Sequence, residues 1–129
     1  MAKKTLNIIE TAYRAVMEEQ DDTTLWLLAA MKGAGADHTI VLRGNAVNYA
    51  VSGQETTPLK VGTWQQTHAP RMDRDLLDVM ENRGMAVYAI EEDLAERGIG
   101  KQELVSGVKL LPRKRLAGLM AEFAIVSHW

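Results

Sequence analysis

Five short apolar runs, each separated from the next by a stretch with helical punctuation, constrain this chain more than any other feature. Thr5 to Ile9, His38 to Leu42 (HTIVL), Ala86 to Ile90 (AVYAI), Val108 to Leu111 (VKLL) and Ala124 to Ser127 (AIVS) read as strands. The runs are near-continuous rather than alternating, which predicts burial on both faces, as in a parallel sheet. Helical patterns lie between them. Asp21 or Asp22 caps a helix through Met31 and Lys32 that stops near Gly33 or Gly35, with Leu25, Leu28 and Ala29 as its apolar stripe. Val47, Ala50 and Val51 give a short helix ending at Gly53. Pro70 suits a first turn, and Met72, Leu76, Val79 and Met80 follow at helical spacing up to Gly84. Asp93 caps a single turn closed by Gly98, and Pro112 opens a last helix with Leu116, Leu119, Met120 and Phe123 on one face. Tyr13 to Gln20 reads equally as a helical turn or a loop. The order is that of an α/β protein, predicted as a single three-layer α/β/α domain over 1–129 with a five-stranded, mostly parallel sheet.

One segment breaks the rhythm. Ser52 to Ala69 is long and polar and carries Trp64. Loops of this length inside a compact domain are usually functional, interfacial or mobile.

Composition narrows the chemistry. The chain has 129 residues, a net charge of −2 and no cysteine. That size buries enough surface to fold without a disulfide or a structural metal. The charge gives no reason to expect nucleic acid or an anionic membrane, and no apolar run approaches a membrane span. The apolar stretch near the N-terminus is too short for a signal peptide, so a cytoplasmic location is expected. Zero cysteine excludes thiol catalysis, disulfides and thiolate metal sites.

In such a sheet, ligands bind beyond the carboxyl ends of the strands. Those ends supply Glu10 and Thr11, then Arg43, Gly44 and Asn45, then Glu91, Glu92 and Asp93. Glu10, Arg43, Asn45, Glu91 and Glu92 are therefore the expected ligand-binding residues, an arginine facing several carboxylates. The bland alternative is that Asp93 caps its helix while Glu91 and Glu92 are solvated. No glycine follows the first strand in TAYRA, so a dinucleotide fingerprint is absent. His38, His68 and His128 have no metal-ligand spacing, and no serine sits in a nucleophile elbow. No catalytic residue, cofactor or resident metal is expected. Arg113, Lys114 and Arg115 crowd the start of the last helix, as a solvated face or a contact for an acidic partner. Trp64, Trp129 and Tyr49 are candidates for subunit contacts, and Trp129 equally for capping the chain's own core.

VYAIEEDLAERGI, from Val87 to Ile99, resembles the strand and short helix of the DsrH (TusB) type of sulfur-relay protein. GVKLLPRKRLAGLMAEFAIVSHW is similar to that family's ending, which closes on a terminal tryptophan, here Trp129. IVLRGNAVNYAV and ETAYRA are similar to segments after the first two strands of DsrE-type chains. The resemblance covers nearly the whole chain, weakly from Ser52 to Ala69. It implies the DsrE/DsrF/DsrH fold and a place in sulfur trafficking. It also implies assembly as a homo-oligomer, a trimer or hexamer, or with a cysteine-bearing sulfur carrier. Catalytic members carry a persulfide-forming cysteine at the end of the third strand, where this chain has Ile90. A non-catalytic subunit or scaffold is the leading expectation. A ligand-binding or regulatory protein using the same crevice is the alternative, and a metal-assisted enzyme using Glu10 and Glu91 the third.

Overall fold

A computed structural model describes residues 3–13, 22–67 and 69–129. The first strand, β1 (Lys4–Ile9), leads towards α1 (Thr23–Gly33) and then β2 (Asp37–Leu42). A 3-10 helix (Gly44–Ala50), a hairpin of β3 (Lys60–Val61) and β4 (Trp64–Gln65), and α2 (Met72–Glu81) precede β5 (Val87–Ile90). The chain continues through α3 (Glu91–Glu96), β6 (Lys109–Leu111), α4 (Leu116–Met120) and β7 (Ile125–His128). The main sheet has five strands in the order β6-β5-β2-β1-β7, and every pairing in it is parallel. Strands are added outward from β1 through β2, β5 and β6. The chain then returns across the sheet to lay β7 on the other side of β1.

All five strands fall on the predicted apolar runs. β1 is buried at every position after Lys4 because both faces are covered. One face carries Ile9, Ile40, Leu42, Val87 and Ala89 against Leu25 and Leu28 of α1, Leu76 and Val79 of α2, and Ala46, Val47 and Ala50 of the 3-10 helix. The other carries Leu6, Ile8, Val41, Ile90 and Leu111 against Leu116, with Leu119, Met120 and Phe123 partly buried. The result is the expected three-layer α/β/α arrangement.

Local chemistry sets most boundaries. Asp22 caps α1, its Oδ1 accepting the Leu25 N–H at 2.9 Å. The cap of α2 is Arg71, so Pro70 lies one residue before it instead of in the first turn. Asp73 and Asp75 then occupy that first turn, where negative charge suits the helix dipole. The segment expected around Val47 to Val51 is the 3-10 helix, and Val51 beyond it bridges Leu104. Residues 14–20 and His68 lie outside the described residues.

The Ser52 to Ala69 segment is more ordered than a polar loop. Its start is pinned: the Gln54 amide donates to the carbonyls of Asn48 at 2.8 Å and Val51 at 2.7 Å. The Gly53 N–H donates to Asp73 at 2.9 Å, and Arg71 grips the same carboxylate through two bonds of 3.1 and 2.9 Å. The Arg71 hydrogen bonds lead the influences that hold the Asp73 carboxyl down to about 2. Farther out, Gly62 takes φ 59° at the first position of the two-residue turn between β3 and β4, as type II′ hairpins require. Two-residue strands in a polar tract leave no periodic signal, which is why sequence patterning missed them.

Candidate functional site

The carboxyl ends of the parallel strands form one edge of the molecule, and the side chains there divide into two clusters. The first lies over β2, β5 and β6. The chain passes from β5 into α3 with no intervening loop, so Ile90 takes the cap position and Glu91, Glu92 and Asp93 fill the first turn. Asp93 therefore does not cap the helix. Its buried carboxylate accepts the Gly44 N–H at 2.8 Å and an Arg113 Nη2–H at 2.6 Å. Burial is the largest influence on this carboxyl and would raise it. The Gly44 and Arg113 hydrogen bonds, with the charges of Arg113 and Arg97, outweigh it and leave the group below the usual aspartate value.

The neighbours are similarly committed. The Arg113 backbone N–H donates to both oxygens of Glu92, at 2.9 and 3.1 Å, and its guanidinium also reaches Glu96 at 3.4 Å. Arg97 donates to Asn45 Oδ1 at 2.8 Å and to the Asp93 carbonyl at 3.0 Å. Asn45 and Glu92 are thus hydrogen-bonded within the chain, and Arg113 meets acids of its own chain. Glu91 is exposed and lines a separate shallow pocket of about 190 Å³ with Leu94, Ile99 and Lys101. Asn45, Glu91 and Glu92 thus have different surroundings within this cluster.

The second cluster lies over β1, β2 and β7. Glu10 Oε1 meets Arg43 Nε at 2.9 Å, and its Oε2 meets His128 Nε2 at 2.9 Å. Glu10 and Arg43 are brought together as expected. His128 was missed, because nothing near it in sequence indicates that β7 lies beside β1. All three side chains are a third or more exposed, Glu10 being the least so at 37%. Among the described residues no group of three or more histidines and acids is placed to hold a metal ion.

Two further polar networks are partly or wholly buried. Trp129 continues the β7 ladder, donating to the Ile8 carbonyl at 2.8 Å, and its indole N–H reaches Asn7 Oδ1 at 3.1 Å. The Asn7 amide donates to His38 Nδ1 at 2.8 Å, which places the ring proton on Nε2. Burial, the leading cause, lowers the His38 pKa. Trp129 thus docks on the chain's own sheet. Tyr49 is wholly buried, so it is no candidate for a subunit contact. Its hydroxyl donates to Asp22 and accepts the Tyr13 N–H. Burial first, then the Asp22 hydrogen bond and charge, push the phenol far above its ordinary value, so it stays neutral. Tyr13 itself, at φ 60°, is a non-glycine residue held in the left-handed region.

No protein-family model matches the chain, and no curated protein matches it. Solved structures do. The ychN protein from E. coli superposes with a TM-score of 0.71 over all of both chains at 17% identity. A protein of unknown function from Methanobacterium thermoautotrophicum, MTH1491, superposes with a TM-score of 0.65, again over all of both chains, at 11% identity. At such identities the likeness shows the fold. No helix among the described residues is long and apolar enough to cross a membrane.

Proposed function

We propose that this chain is a cysteine-free subunit of a DsrE-type sulfur-relay assembly, acting through the proteins it binds and not through chemistry of its own. The observation that carries the reading is Ile90. It holds the strand-end position at which the family resemblance puts the sulfur acceptor, and it is wholly buried among Leu6, Val41 and Leu111. Persulfide transfer needs a thiolate, and no side chain of this protein supplies one. The full-length likeness to solved structures supports the fold half of this reading.

The direct test is co-expression with a cysteine-bearing DsrE-type subunit from the same organism. A stoichiometric complex on size exclusion is the expected result, and two separate peaks would overturn the reading. A second measurement asks whether the strand end is still suited to sulfur. A thiol becomes reactive when a cation or helix terminus lowers its pKa and solvent reaches it. In Ile90→Cys the thiol is buried and followed by three acids, both of which raise its pKa; its place at the cap of α3 works the other way, but that helix has only six residues and a small dipole. Alkylation against pH should give a midpoint at or above the free value of about 8.5. A midpoint near ~6, in the range of activated thiols, would mean that the position is still built for persulfide chemistry.

A further inference from the structure

His38 is a buried titratable group that the proposed function does not use. It stands on β2 at 5% exposure, directly opposite Thr5 of β1. Its surroundings follow from hydrogen-bond valence. The Trp129 indole has one N–H and no acceptor, so the oxygen of the Asn7 amide faces it, at 3.1 Å. The NH2 end of that amide then points the other way, to His38 Nδ1 at 2.8 Å and the Thr39 carbonyl at 3.3 Å. His38 Nδ1 can only accept there, and the ring proton is left on Nε2. Nε2 is buried and has no hydrogen-bond partner among the described residues. An unmatched buried donor costs folding free energy, and a second proton on the ring would add a charge to it.

Each member of this relay fixes the polarity of the next. A second proton on His38 goes to Nδ1 and sets that N–H against the Asn7 NH2, donor against donor. Turning the Asn7 amide over restores the bond to His38. It then presents NH2 to the indole N–H of Trp129 and an oxygen to the Thr39 carbonyl. Asn7 is 1% exposed, so water reaches the mismatch only if the packing opens. Trp129 is the member able to leave, being 37% exposed. It also anchors the end of β7. Its backbone N–H donates to the Ile8 carbonyl at 2.8 Å, and its main-chain oxygen accepts the N–H groups of Glu10 at 2.9 Å and Thr11 at 3.3 Å. Glu10 in turn holds Arg43 and His128.

We propose that the Trp129–Asn7–His38 relay is a pH-sensitive latch: protonation of His38 turns the Asn7 amide over, releases the Trp129 indole and loosens the end of β7 at the carboxyl edge. Burial is the leading influence on the ring and holds it below the ordinary histidine value of about 6.5. Two charges act on it besides: Asp37 of its own strand favours the proton, and Lys32 of α1 opposes it. β1 and β7 bring Thr5, Asn7 and Trp129 to the relay, all uncharged. The latch is therefore shut at neutral pH and opens in mild acid. Above about 6.5 His38 is neutral in both the folded and the unfolded chain. As pH falls below that value the unfolded chain takes up the proton first, and the folded state loses stability. Release of Trp129 is how the folded chain accommodates the same proton. The latch is independent of the sulfur-relay reading.

Nitrogen-15 spectra of the histidine rings and tryptophan indoles test it, read together from about pH 8 to about pH 5, a span that contains the ordinary histidine value. At neutral pH His38 should be the Nε2–H tautomer. As its ring titrates, the Trp129 indole N–H, identified by its loss in Trp129→Phe, should shift with the same midpoint. It should also exchange with solvent about tenfold faster, the worth of one hydrogen bond. In His38→Asn a side-chain oxygen replaces Nδ1 as acceptor and does not titrate, so the indole should stay fixed throughout. Asn7→Asp should reverse the response, because a carboxylate accepts from the indole and from a protonated Nδ1 at once; His38 then titrates at higher pH and acid no longer frees Trp129. An Nδ1–H tautomer, a His38 ring that does not titrate before the chain unfolds, or an indole that does not follow the ring would each overturn the proposal. So would a shift that persists in His38→Asn, since it would belong to His128 next to Trp129. If His38→Asn does not keep the wild-type circular dichroism spectrum, the exposed His128→Gln takes its place, and the Trp129 shift must survive it.

Discussion

The two charged clusters on the carboxyl edge use the same kinds of side chain and differ in what surrounds them. Over β5 and β6, Asp93 is nearly inaccessible, and its oxygens meet a backbone N–H and a guanidinium. Over β1 and β7, Glu10 meets Arg43 and His128 at comparable distances, but water reaches all three. Coulomb attraction at a given separation weakens several-fold as the effective dielectric rises towards that of water. Equal geometry therefore does not mean equal contribution. The first cluster ties the 3-10 helix, α3 and the segment after β6 together. The second leaves polar groups available at the surface.

Removing Asp93 gives the largest expected effect and can break this comparison outright. Asp93→Ala strips the Gly44 N–H of its acceptor and leaves the buried site without its charge partner, a loss of about 2–3 kcal/mol. With an m-value of about 1–3 kcal/mol per molar urea, the midpoint should fall by roughly 1–2 M. The pH dependence sharpens the point. The folded Asp93 carboxyl sits below its unfolded value of about 3.9, so its contribution is complete above that value. It disappears as pH falls through the folded value. The stability gap between wild type and Asp93→Asn should therefore be constant from neutral pH down to about 5, then close in acid. A gap that widened in acid would mean that burial, and not pairing, governs the group.

Glu10→Gln is the smaller effect. An exposed ion pair contributes about 0–1 kcal/mol, and 1 M salt, with a Debye length of about 3 Å, screens most of that. Chemical denaturation with and without salt reads both quantities. A salt-insensitive loss as large as that of Asp93→Ala would erase the distinction between the clusters.

Local chemistry was legible where it is decided within a few residues. The strand runs, the Asp22 cap and the α2 stripe could all be read from neighbouring positions. Asp93 was misread as a cap because the strand runs straight into the helix, which puts the cap at Ile90 and Asp93 three places into the first turn. Asn45 and Glu92 were assigned to a ligand and are held by Arg97 and the Arg113 backbone, which approach from outside the strand ends. The β3–β4 hairpin was invisible because each of its strands has two residues.

The sequence alone determined the α/β class, the number of strands in the main sheet and the absence of any thiol. Periodicity, capping and composition are properties of neighbouring residues, and burial of the apolar runs can only be met by layers on both sides of a sheet. The tertiary structure alone decided which charges meet and which are dry. It put His128 beside Glu10 by returning the chain across the sheet to β1, and it buried Asp93 under the segment that follows β6. Those outcomes depend on strand order and on packing between residues far apart in the chain, and the strength of each charge pair depends on the water that this packing excludes.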